Sequence, residues 1–130
     1  MATLPDDARV VAFLQITLPH RARAFYQDTL GMRFLRNDGY ALVFEWNGNL
    51  IRAGIVEALT PAGHTVLGWE VPDIAMAVEN LQKAGIIFRQ LPGTLPEDSR
   101  IWIAPDGSKV AWFQDPDGNW LSVSQHEYAP

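Results

Sequence analysis

Few side chains here have the types and spacing for chemistry on a small molecule, and most of those have a plainer use. Histidine occurs at His20, His64 and His126. His20 stands at a helix start beside Pro19, His64 opens a strand and His126 lies in the tail. None has an Asp or Ser at triad-like spacing, so surface or capping roles are expected. Cysteine is absent, which removes disulfides, thiolate metal sites and cysteine nucleophiles together. No glycine-rich phosphate loop is present. The carboxylates of Asp115-Pro-Asp-Gly-Asn119 read as turn chemistry rather than a catalytic dyad, because Pro116 and Gly118 supply the fixed and the permissive φ of a tight reversal. Glu70 remains. A carboxylate on an apolar strand could have a raised pKa and serve as a general base.

The elements that must position these groups follow from pattern. The chain has 130 residues with 48% hydrophobic, 11% aromatic and 19% charged content, as expected for one soluble domain with one core. Its formal charge of -5, with ten basic residues scattered along the chain, argues against nucleic acid or an anionic membrane as partner. No apolar run is long enough to cross a bilayer, and Met1 to Asp7 lacks the features of a signal peptide, so the cytoplasm is the expected compartment.

Arg9 to Thr17 reads as a strand, and Pro19 stops it. From His20 to Leu30 the residues Ala22, Phe25, Tyr26, Thr29 and Leu30 recur at helical spacing, with Gly31 where a left-handed cap is wanted. Met32 to Arg36 is a short strand turned by Asn37-Asp38-Gly39. Tyr40 to Trp46 and Leu50 to Val56 form a hairpin about Asn47-Gly48-Asn49. After a linker the pattern restarts: strand His64 to Val71, Pro72, a helix capped by Asp73 and closed by Gly85, a strand Ile86 to Arg89, and a hairpin of Val110 to Phe113 with Trp120 to Val123. Pro19 and Pro72 are 53 positions apart, and Gly31 and Gly85 are 54 apart. Such a period indicates a duplicated unit. Residues 91–108, with Pro92, Gly93, Pro96, Pro105 and Gly107 around Arg100-Ile-Trp-Ile103, have no counterpart in the first half and read as a flap or extra edge strand.

Two βαβββ units, the helix Arg23-Ala-Phe-Tyr-Gln-Asp-Thr-Leu-Gly31, the start Val71-Pro-Asp-Ile74 and the hairpin Asp115-Pro-Asp-Gly-Asn119 together resemble the vicinal oxygen chelate superfamily. That group includes glyoxalase I, bleomycin-resistance proteins, extradiol dioxygenases and fosfomycin-resistance enzymes. The resemblance runs from about Val10 to Gln125. It implies an α+β fold, a single domain over 1–130 with one module at about 9–57 and a second at about 64–126 carrying the flap at 91–108. It also implies a cupped mixed sheet with helices on its outer face, a ligand site in the cup, and a homodimer.

In metal-using members of that superfamily, ligands sit midway along each unit's first strand and on each last strand after its hairpin. The resemblance carries these places to Phe13, Arg52, Val66 and Ser122. Phe and Val have no donor atoms and Arg is a permanent cation, so this set cannot hold a divalent ion. No cofactor is therefore expected. In a slipped register Gln15, on the same strand face as Phe13, takes a ligand place, and His64 or Glu70 could be recruited.

Two classes of function stay open. The first is a metal-free binding protein for a small organic ligand, an anion in one version, built from Phe13, Gln15, Arg52, Val66 and Ser122 with Trp102, Trp112 and Trp120 as cup or rim. Arg52 would grip a carboxylate or phosphate there, or else pair structurally with Glu70 or Glu45. The second is a glyoxalase-like lyase or dioxygenase-type enzyme, using either a metal or Glu70 as base.

Overall fold

In the computed structural model, which describes residues 3–90 and 100–126, contacts divide the chain into two compact units, Met1–Leu59 and Thr60–Pro130. Each holds a four-stranded mixed sheet, an α+β arrangement of two βαβββ modules. In the first unit strands β1 (Val11–Ile16), β2 (Arg33–Asn37), β3 (Ala41–Trp46) and β4 (Asn49–Ile55) lie in the order β1-β4-β3-β2. In the second, β5 (Thr65–Glu70), β6 (Trp102–Ile103), β7 (Lys109–Gln114) and β8 (Trp120–Gln125) lie in the order β5-β8-β7-β6. In both, the first strand runs parallel to the last and the other pairings are antiparallel. For three of the four strands the shared order is the physical counterpart of the sequence period.

Local chemistry accounts for most of the boundaries. Asn47 and Gly48 both take positive φ, 50° and 86°, the backbone that a two-residue turn between β3 and β4 demands. Asp73 caps helix α2 (Ile74–Lys83) by accepting the Met76 N–H at 3.1 Å, and Gly85 follows the helix with φ 97°. Ile74 and Val78 are the buried residues of this helix.

Helix α1 departs from the regular helix expected over His20 to Leu30. Only Pro19–Arg23 is α-helical, and Ala24–Thr29 continues as a π-helix, with the Leu30 N–H reaching the Phe25 carbonyl at 3.0 Å. The wider turn gives room to consecutive aromatic residues just before Gly31. Tyr26 is buried there, edge-on to Phe25 at 5.0 Å and against Phe44 at 5.7 Å. Phe44, Leu42, Ile51, Ala53, Leu14 and Ile16 complete this core.

The second unit also differs from expectation on one edge. Ile86 to Arg89 forms no strand; Arg89 makes a single ladder-like bond, its N–H to the Trp112 carbonyl at 2.9 Å. The neighbouring part of the β7 edge is taken instead by Trp102–Ile103, which pairs with Val110 and Lys109. The extra edge strand expected near Arg100 to Ile103 is therefore present, while residues 91–99 of the expected flap lie outside the described residues. Among the described residues, no helix is long and apolar enough to cross a membrane.

Candidate functional site

Pairing register decides which side chains share a sheet face, since Cα partners point to the same side. In the first unit Phe13 stands opposite Arg52, Gln15 opposite Gly54, and Arg52 also opposite Val43. The alternate residues Leu14, Ile16, Ile51, Ala53, Leu42 and Phe44 face the helix side and are buried. Phe13 is 69% exposed on the other side. A pocket of about 320 Å³ opens there, lined by Phe13, Leu14, Gln15, Tyr40, Ala41, Arg52 and Gly54. Three of the residues singled out from the sequence, Phe13, Gln15 and Arg52, thus come together around one cavity.

Arg52 pairs with neither of the two expected carboxylates. Its Nη2 donates to Asp38 Oδ2 at 2.8 Å, whereas the sequence pointed to Glu70 or Glu45. Asp38 sits in the turn before β3, and its other oxygen, Oδ1, accepts the backbone N–H of Tyr40 at 3.0 Å and of Ala41 at 2.9 Å. The Tyr40 N–H, the Arg52 guanidinium and the Ala41 N–H hold the Asp38 carboxyl down at about 2, against a slight opposing pull from burial. The guanidinium therefore reaches the pocket already neutralised, by a carboxylate that is pinned to the backbone and lies outside the lining. An Asp in an Asn-Asp-Gly turn reads as turn chemistry, and only its second oxygen reveals the further role.

In the second unit Ser122 lies between Gly68 of β5 and Trp112 of β7. Trp102, Trp112 and Ser122 share a face, with the two indole rings 5.7 Å apart, and Trp120 follows two positions before Ser122 on the same strand face. Ladder alternation would carry Val66 with Gly68 and Glu70, but the β5 register breaks between Thr65 and Leu67, leaving Val66 as the extra residue of a bulge. Thr65 takes the face instead: its Oγ1 accepts the Trp112 Nε1–H at 3.2 Å. Gly68 and Ser122 approach so closely that a Cβ at Gly68 would lie 2.8 Å from Ser122 Oγ.

Glu70 does not have the surroundings of a base. It accepts from Ser124 Oγ at 2.9 Å, from the His126 backbone N–H at 2.7 Å and from His126 Nδ1 at 2.5 Å. Burial raises its pKa, but the donations from His126 and Ser124 outweigh burial and leave it below its ordinary value. The raised pKa expected on an apolar strand fails because the strand end is not apolar in space: chain 54 and 56 residues away returns to it with three donors. His126 is accordingly a partner of Glu70 rather than a loose tail residue, while His20 and His64 are exposed. Asp115 behaves as turn chemistry, Oδ1 accepting the N–H groups of Asp117 and Asn119 at 2.9 Å each.

The donor sets do not suit a divalent metal. Around the first pocket they comprise a phenyl ring, a carboxamide, a phenol and an ion-paired guanidinium, and at the second position a glycine, a hydroxyl and an indole. Among the described residues no group of three or more His, Cys, Asp or Glu is placed to hold a metal ion.

A family model described as the Glyoxalase/Bleomycin resistance protein/Dioxygenase superfamily matches residues 10–123. Among solved structures, the bleomycin resistance determinant encoded on the transposon Tn5 superposes with a TM-score of 0.71 at 19% identity, over 93% of this chain and 99% of that one. A superfamily member from Sphaerobacter thermophilus gives 0.69 at 22% identity, covering 92% of this chain and 97% of that one. Lactoylglutathione lyase from Agrobacterium tumefaciens gives 0.69 at 19% identity, covering 95% and 96%. At these identities the likeness speaks for the fold alone. No curated protein sequence matches the chain.

Proposed function

The chain belongs to the Glyoxalase/Bleomycin resistance protein/Dioxygenase superfamily, and from that premise we propose that it is a binding protein. In this reading it holds a small organic ligand in the pocket of its first unit and uses no divalent metal. The observation that carries the reading is the composition of that pocket: Phe13 offers an exposed ring and Arg52 guanidinium N–H donors, beside Gln15, Tyr40, Ala41 and Gly54, around about 320 Å³. That volume is at the low end of small-molecule sites, which combine apolar walls with a few oriented polar groups. Sequestration of a ligand needs nothing more. Two observations support this reading over an enzyme: among the described residues no group of three or more His, Cys, Asp or Glu is placed to hold a metal ion, and Glu70, the base expected of a metal-free enzyme, has its pKa lowered by the donations from His126 and Ser124.

The test is a thermal-shift screen of small aromatic carbonyl and carboxyl compounds against the protein and Arg52→Ala, with elemental analysis of the purified chain. Compounds that raise the melting temperature of the wild type and lose that effect in Arg52→Ala support the site. Stoichiometric zinc, iron, nickel or manganese in the purified protein would remove the metal-free part of the proposal. A homodimer, which the family resemblance implies, belongs to the same proposal. A monomer in sedimentation velocity would remove it.

A further inference from the structure

Resting on that pocket as the binding site, we infer that Asp38 sets the charge of the ligand: the pocket takes a neutral planar aromatic carbonyl compound and discriminates against the corresponding carboxylate. Arg52 on its own would be expected to choose an anion, because a guanidinium meets a carboxylate with two parallel N–H bonds. Here one edge of that fork is already committed to Asp38. The committed carboxylate cannot swing aside to make way for a ligand, since Oδ1 is tied to the Tyr40 and Ala41 N–H groups while Oδ2 faces Arg52. With its carboxyl held down at about 2, Asp38 carries its charge throughout the range in which proteins are handled.

An arriving carboxylate would thus compete with a fixed like charge for the same guanidinium, and like charges brought together across a binding site oppose association. A neutral carbonyl meets no such penalty. It can accept from the remaining guanidinium N–H donors. Phe13, exposed on the same face as Arg52, supplies flat apolar surface for stacking. Asp38 is in this account a specificity residue acting through Arg52 and does not touch the ligand.

The two ligand charges can be compared with an isosteric pair, benzamide and benzoate, titrated into the full chain and followed by amide chemical shifts of Phe13, Gln15, Arg52 and Gly54. The wild type is expected to bind benzamide about fivefold more tightly than benzoate, the discrimination that one partly exposed charge pair supplies. Asp38→Asn keeps an oxygen for the Tyr40 and Ala41 N–H groups while removing the charge, so it should reverse the order and leave benzamide affinity within about twofold. Benzoate binding the wild type as tightly as benzamide overturns the inference, as does an unchanged order in Asp38→Asn, while the pocket reading survives both results. Failure of both probes to shift the pocket resonances overturns the pocket reading and the inference together. The wild-type ranking decides by itself if the variant does not fold.

Discussion

Gly68→Ala is the perturbation whose consequence the structure defines most narrowly. A Cβ built at Gly68 meets Ser122 Oγ at 2.8 Å and the Ser122 carbonyl oxygen at 3.3 Å, with Thr65 Cγ2 at an ordinary 3.7 Å. Ser122 is held between β5 and β7 through its pairing with Gly68 and Trp112, so the carbonyl has little freedom to retreat. Overpacking of this kind costs about 1–3 kcal/mol, while replacing a strand glycine with alanine returns about 0.5–1 kcal/mol of chain entropy. The net expectation is a loss of about 1–2 kcal/mol, or a melting temperature lower by roughly 3–6 °C for a chain of this size. Ser122→Ala removes the 2.8 Å contact and leaves the 3.3 Å one. In that background Gly68→Ala should therefore cost at least about 1 kcal/mol less than in the wild type, a coupling outside the usual additivity error. Urea unfolding followed by tryptophan fluorescence, at unchanged m-value, reads all four corners of the cycle. Additive losses would refute the reasoning, because they would mean that the hydroxyl is not what resists the new methyl group.

Two further outcomes follow from the same geometry. Glu70 has a folded pKa below its ordinary value, so its ionised form contributes stability that is fully present above that ordinary value and is lost as pH falls through the lower folded pKa. Melting temperatures of the wild type and Glu70→Gln should accordingly differ most near neutral pH and converge in acid, and a difference independent of pH would count against the His126 and Ser124 contacts. Asp73→Ala removes the bond to the Met76 N–H and should cost about 1 kcal/mol in chemical unfolding; Asp73→Ser should recover most of it, and an equal loss in both would show that the cap is not the cause.

Much of the fold was legible in the residues because its determinants are local. Positive φ at Gly31, Gly85, Asn47 and Gly48 marks helix ends and the hairpin, and a carboxylate one residue before a helix satisfies an otherwise unpaired N–H; neither depends on distant chain. The duplicated period then implied the same strand order twice, found for three of the four strands, while the outer place beside β7 goes to Trp102–Ile103 instead of Ile86–Arg89. The grouping of Phe13, Gln15 and Arg52 was legible through the family resemblance, whose ligand places the internal repeat carries to Phe13 and Arg52, while strand alternation puts Gln15 on the face of Phe13.

Other features were settled only in three dimensions. One extra residue at Val66 breaks the alternation that the sequence invites, and a bulge depends on how two strands meet rather than on either alone. Arg52 finds its partner 14 residues away in a turn, and Glu70 meets His126 from 56 residues away. Coulomb attraction and hydrogen bonding act over distances in space, so the sequence determined which side chains carry charge and which face they share, and tertiary packing decided which charges meet.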